Sequence, residues 1–138
     1  MTIFLDACSI IYWVEMAEPY YSSLTAYFHD LEQECGVAVV YAASRLSILE
    51  CLVKPLRDND QALIKRYGQF FSSRDLKIIE LSPAVIDRAT QVRAYCSIKT
   101  PDAVQAASAL SIKGPVRFVT NDKRFGLVPG LTISLLPE

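Results

Sequence analysis

The chain has 138 residues, is 51% hydrophobic and 21% charged, and carries a net charge of −1. These figures exclude a disordered or collagen-like chain and predict one domain, residues 1–138, around a real core. They also exclude a strongly basic nucleic-acid footprint or an acidic tail. The near-neutral total hides an asymmetry: residues 1–50 hold seven acids against one base, Arg45, whereas residues 51–138 hold thirteen bases against eight acids.

No stretch approaches the roughly 18–20 consecutive apolar residues of a membrane span. The longest apolar run, Val37 to Ala43, is strand-sized. Met-Thr-Ile-Phe-Leu-Asp at the start has no positive segment before its apolar residues, so no signal peptide is expected. Cys8, Cys35, Cys51 and Cys96 lie far apart with no C-x-x-C pair. They read as reduced thiols of a cytoplasmic protein, not as disulfides or a zinc site. The single histidine, His29, speaks against a histidine-rich metal site and reads as a surface residue.

Thr2–Leu5 is a short apolar run stopped by Asp6, readable as a buried strand. Residues 8–16 are expected to be helical. Ser22–Glu34 places Leu24, Tyr27, Phe28 and Leu31 at three- and four-residue spacing, an amphipathic helix ended by Gly36. Val37–Tyr41 is the second expected strand. Ser44–Lys54 repeats Leu46, Leu49 and Val53 as an inward stripe, with Pro55 closing the helix. Asn59–Ser72 is another helix and Lys77–Leu81 the third strand. Ser82-Pro83 opens a helix through Cys96. Thr100, as cap, with Pro101 opens one through Ile112, ended by Gly114-Pro115. Val116–Thr120 and Leu131–Leu136 complete the strands. Short apolar strands alternating with helices predict an α/β fold: a three-layer domain with a central parallel sheet of four to five short strands flanked by helices. Ligands of such sheets bind beyond the carboxyl ends of the strands.

Four acids fall near that edge. Asp6 follows the first strand, Asp122 follows the fourth in Thr-Asn-Asp, and Asp102 sits in the first turn of a helix. Each has an ordinary structural explanation as a cap, a turn residue or a dipole partner. Glu50 is sharper, because a carboxylate beside an apolar stripe is expensive unless paired. Gathered in one crevice, four like charges raise one another's pKa values, and a divalent cation removes the conflict. Oxygen-only donors favour Mg²⁺ or Mn²⁺ over zinc. Such ions suit an in-line phosphodiester displacement by an activated water. Ser9, Thr100, Thr120 and Asn121 are expected to hydrogen-bond the carboxylates or their waters. Lys123 and Arg124, adjoining Asp122, and Arg45, on the helix of Glu50, are candidates for phosphate contacts, a solvated face being the equal alternative.

The same residues carry a resemblance to the PIN-domain ribonucleases, nearest the VapC-like toxins of toxin–antitoxin modules. It spans nearly the whole chain. It opens with Phe4-Leu5-Asp6-Ala7-Cys8-Ser9-Ile10-Ile11-Tyr12 and continues with Ser44-Arg45-Leu46-Ser47-Ile48-Leu49-Glu50-Cys51. Lys99-Thr100-Pro101-Asp102-Ala103 follows, then Phe118-Val119-Thr120-Asn121-Asp122-Lys123-Arg124-Phe125 and Val128-Pro129-Gly130-Leu131. The acids are spaced by 44, 52 and 20 residues. Two departures stand out: Cys8 where the family usually has Asn or Ser, and Gln105 where many relatives carry an apolar residue or histidine. The resemblance implies Mg²⁺- or Mn²⁺-dependent endonucleolytic cleavage of RNA, a homodimer, and a cognate antitoxin.

Other classes fit less well. A phosphate-receiver domain needs an acidic pair after its first strand, and Asp6 is followed by Ala7 and Cys8. A haloacid-dehalogenase-type phosphatase needs a second Asp at the position of Cys8. A serine or cysteine hydrolase lacks a G-x-S-x-G elbow. A PIN-like module that binds RNA or protein with weak or no cleavage is the remaining alternative. Finally, Tyr12, Trp13, Tyr20, Tyr21, Tyr27 and Phe28 crowd beside Glu15, Glu18 and Asp30. This predicts either a docking surface for a basic amphipathic antitoxin segment on residues 12–28 and helix 44–54, or core and dimer contacts.

Overall fold

The computed structural model describes residues 1–35 and 39–137. Five strands, β1 (Thr2–Leu5), β2 (Val40–Ser44), β3 (Leu76–Ile79), β4 (Val116–Thr120) and β5 (Ile133–Leu135), form one sheet in the order β3-β2-β1-β4-β5. Every pairing is parallel. Six helices cover it: α1 (Ala7–Val14), α2 (Tyr20–Cys35), α3 (Arg45–Arg57), α4 (Gln61–Phe71), α5 (Pro83–Cys96) and α6 (Thr100–Leu110).

Strand alternation separates two cores. Ile3 and Leu5 of β1 pack with Ile10 and Val14 of α1, Leu24 and Phe28 of α2, Cys51 of α3 and Tyr67 of α4. Phe4, between them in sequence, joins Ala42 and Phe118 on the opposite face with Val85, Ala89 and Val92 of α5 and Ala103, Ala106 and Ala107 of α6. Phe4 and Phe118 stack there at 5.3 Å. The run of alanines lets α6 lie close to the sheet. The result is the expected three-layer domain. No helix among the described residues is long and apolar enough to cross a membrane.

Several boundaries differ from the sequence expectation. The second strand runs to Ser44, later than the expected Val37–Tyr41; Gly36, Val37 and Ala38 lie outside the described residues. Ser44 ends the strand because its hydroxyl accepts the Leu46 backbone N–H and so caps α3. Pro55 does not close that helix but lies buried inside it, and the helix runs on to Arg57. The inward face of α3 is also not the expected one. Ser47, Cys51 and Pro55 are buried, while Leu49 is 60% and Val53 49% exposed. Small side chains face inward because α3 closes tightly on its neighbours: the Cys51 thiol lies 3.9 Å from the Ala7 carbonyl oxygen. A 3-10 helix, Lys123–Leu127, follows β4 where only a turn was expected.

In register, Leu5 faces Ala43 on one side and Val119 on the other. Asp6, Ser44 and Thr120 are therefore the next residues along three adjacent strands. The chain visits β2 and β3 on one side of β1, then β4 and β5 on the other. The edge between β1 and β4 is thus the topological switch point, where open parallel sheets place their ligands.

Candidate metal and nuclease site

Asp6 caps α1, its Oδ1 accepting the Ser9 backbone N–H at 2.9 Å. Its Oδ2 accepts the Thr120 hydroxyl at 2.6 Å. The residue is only 4% exposed. Burial pushes its pKa up to about 6, against the lowering effect of those hydrogen bonds, and the Asp102 charge adds to the rise.

Asp122 caps the 3-10 helix and is held by Arg124, whose guanidinium Nη2 lies 2.6 Å from Oδ2 and whose Nε reaches both carboxylate oxygens at 3.0 Å. That pairing holds the Asp122 pKa below its ordinary value. The same guanidinium stands 3.8 Å from Asp102. Asp102, in the first turn of α6, is raised by desolvation; Arg124 and Lys99 oppose the rise and Asp122 reinforces it. Glu50, half-buried on α3, is raised by desolvation and by Asp102, against a hydrogen bond from Gln105.

Cys8 lies in the first turn of α1. Its thiol is pushed up to about 11, first by desolvation and then by Asp6, Glu50, Asp102 and Asp122. A thiol so perturbed is protonated at neutral pH. Among the described residues no three His, Cys, Asp or Glu side chains are grouped as a ready ligand sphere. In this structure Arg124 holds Asp122 and reaches Asp102. The donor chemistry nonetheless fits a hard divalent cation: four carboxylates, three of them raised, with no imidazole among them.

The supporting residues divide. Thr120 bonds Asp6 as expected and also accepts the Asp122 backbone N–H at 3.0 Å. Ser9 gives Asp6 its backbone N–H at 2.9 Å, and its hydroxyl, which also lowers the Asp6 pKa, donates to the Val119 carbonyl at 2.8 Å, fastening α1 to β4. Asn121 turns away to donate to the Tyr12 hydroxyl at 2.7 Å. Thr100 is exposed and is not the cap of α6; Lys99 occupies that position without a side-chain bond. Arg45 forms a two-point ion pair with Glu80, at 2.8 and 2.5 Å. Lys123 is exposed next to Asp122.

Gln105, noted in the sequence only as a departure, is a contributor whose partners the structure identifies. It is buried on α6, and its Nε2 donates to Glu50 Oε1 at 2.9 Å and to Ser47 Oγ at 2.8 Å. The available signal was its place one helical turn after Asp102. A second seam, Ser108 Oγ to Ser44 Oγ at 3.0 Å, joins α6 to the start of α3.

The PIN domain family model matches residues 3–131. No curated protein matches the chain. Among solved structures, the chain is similar to VapBC2 from Rickettsia felis bound to a DNA fragment from their promoter. Identity there is 18% and TM-score 0.76, over 99% of this chain and 100% of that one. A toxin–antitoxin complex from Klebsiella pneumoniae matches at 18% identity and TM-score 0.73, over 99% and 98% of the two chains. VapBC-1 from nontypeable Haemophilus influenzae matches at 14% and 0.72, with the same coverage. At such identities the likeness is one of fold.

Proposed function

This chain belongs to the PIN-domain family, and from that premise we propose that it is a divalent-metal-dependent endoribonuclease, the toxin of a toxin–antitoxin pair. The observation that carries the reading is that Thr120 bonds both Asp6 and the Asp122 backbone at the switch point of the sheet, while Arg124 reaches Asp122 and Asp102 and Gln105 ties Glu50 to the helix of Asp102. These four carboxylates would hold Mg²⁺ or Mn²⁺. When bound, the cation supplies the positive charge that activates a water and stabilises the leaving oxygen of a phosphodiester.

The protein's part is placement. Thr120 and the Ser9 backbone orient Asp6. Arg124 holds Asp122, and Lys123 beside it offers an exposed positive charge to an RNA phosphate. Of the three similar structures named above, the Klebsiella pneumoniae one is a toxin–antitoxin complex and the other two are VapBC2 and VapBC-1, which supports a cognate antitoxin as partner. Leu49, Val53 and Leu56, spaced along the exposed side of α3, offer an apolar surface to that partner or to a second copy in a homodimer.

One observation favours a PIN-like module with little cleavage: Arg124 already neutralises Asp122 and reaches Asp102. The deciding experiment is incubation of the purified protein with RNA in Mn²⁺, Mg²⁺ or EDTA, beside Asp102→Asn. Metal-dependent cleavage lost in the variant is the expected result. Equal cleavage by Asp102→Asn would overturn the site, and no cleavage by the wild type in any metal would select the binding module.

A further inference from the structure

Gln105 lies on α6 one turn after Asp102 and is 2% exposed. Its Nε2 carries two protons, and both go to α3: one to Ser47 Oγ at 2.8 Å, one to Glu50 Oε1 at 2.9 Å. Its Oε1 is buried and has no hydrogen-bond partner. A buried carbonyl oxygen without a protein donor costs stability, and a methionine of similar length would fill the same space without that cost. Packing alone therefore does not account for an amide here; its NH₂ group does.

The orientation of the amide is also determined. Turning it over would let Ser47 donate to the oxygen, but would set that oxygen against the Glu50 carboxylate, acceptor against acceptor. The charge on Glu50 thus fixes the amide, and the amide fixes Glu50 Oε1. Glu50 Oε2 makes no hydrogen bond among the described residues, which leaves it available to coordinate a cation.

We propose that Gln105 is the positioning residue of Glu50: one amide ties that carboxylate to α6, a turn from Asp102, and thereby sets the affinity of the site for a divalent cation. The assignment rests on the metal-dependent reading given above. The place of α6 has its own support in the Ser108–Ser44 hydrogen bond to the end of β2 and in its alanine face, packed with α5 on the sheet, so loss of the amide moves Glu50 and leaves the helix in place.

The test compares wild type, Gln105→Met and Gln105→His, the last restoring an N–H donor. Mn²⁺ affinity is measured by titration calorimetry, thermal midpoint in EDTA, and Glu50 conformation in crystals of the metal-free proteins. Gln105→Met is expected to bind Mn²⁺ about 10- to 100-fold more weakly, the usual effect of removing a partner of a metal ligand. Its midpoint should equal or exceed that of the wild type, with Glu50 displaced, and Gln105→His should recover most of the affinity. Equal Mn²⁺ affinity in Gln105→Met overturns the positioning role. So does a parallel loss of stability and affinity that Gln105→His fails to rescue. A wild type that takes up no Mn²⁺ overturns the metal reading itself, and the assignment with it.

Discussion

The Thr120 hydroxyl donates to Asp6 Oδ2 at 2.6 Å while accepting the Asp122 backbone N–H at 3.0 Å. One side chain at the end of β4 thereby orients the carboxylate at the end of β1 and the residue that begins the next turn. Thr120→Val keeps the shape and removes both bonds. The expected result is a folded protein with Mn²⁺ affinity and RNA cleavage down about 10- to 100-fold. Thr120→Ser should restore both. Unchanged affinity in the valine variant would show that Asp6 needs no such orientation.

Asp6 gives a dependence on pH whose sign is fixed by its burial. Its pKa is about 6 when folded against an ordinary 3.8, so between those values the folded state holds the proton more tightly than the unfolded chain. Its contribution to stability is therefore fully present below pH 3.8 and is lost as pH rises through about 6. The loss amounts to at most about 3 kcal/mol, at 1.36 kcal/mol per unit. Asp6→Asn should abolish cleavage in Mn²⁺, and in EDTA it should make the protein more resistant to urea than wild type at pH 7.5. The advantage should shrink toward pH 4. A variant less stable than wild type at pH 7.5 would mean that the charged Asp6 is satisfied in the metal-free fold.

Arg124 and Lys123 adjoin Asp122 but differ in their pairing. Arg124 is engaged with Asp122 and reaches Asp102, whereas Lys123 is exposed. Lys123→Ala is expected to weaken RNA binding and to flatten its dependence on the logarithm of salt by about 0.7, one phosphate contact on a single strand. Arg124→Ala should alter that slope less and should tighten Mn²⁺ binding, because it removes a cation that competes for Asp102 and Asp122. Weaker Mn²⁺ binding in Arg124→Ala would instead make the arginine a support of the site.

What the sequence made legible follows from how local each signal is. Asp6, Asp102 and Asp122 were readable because each sits at a strand end or helix start, positions marked by an apolar run or a Thr-Pro. The parallel sheet was readable for the same reason. The inward face of α3 was not, since Leu46, Leu49 and Val53 make a better apolar stripe than Ser47, Cys51 and Pro55. Only the close approach of α1 and α6 selects the smaller residues, and that is a property of the assembled domain. Gln105 stood out as a departure, but its role was not legible, since its partners Ser47 and Glu50 lie 58 and 55 residues away. Ser9 was assigned to Asp6, which it does bond, but the acceptor of its hydroxyl on β4 was not readable.

The face that sequence reasoning turned inward is the one expected to meet a partner. Leu49, Val53 and Leu56 are 60%, 49% and 60% exposed and recur at four- and three-residue spacing along one side of α3. Glu50 lies on the same helix, so a segment seated on this side would run close to the acids. The aromatic segment contributes less than its composition suggested. Tyr12 stacks on Tyr20 at 4.2 Å, Trp13 packs on Tyr21 and Phe28, and Phe28 is buried against Tyr41. Those rings are largely used within the domain. Co-purification with the product of the neighbouring reading frame should therefore slow hydrogen exchange in residues 44–57 more than in residues 12–28. Leu49→Ser with Leu56→Ser should loosen that complex at least tenfold, about 1.4 kcal/mol, while leaving RNA cleavage by the free protein unchanged. Size-exclusion chromatography of the same variant without the partner separates the two occupants. A shift from dimer to monomer would assign this side of α3 to the homodimer, and unaltered antitoxin affinity together with an unaltered elution volume would remove α3 from both interfaces.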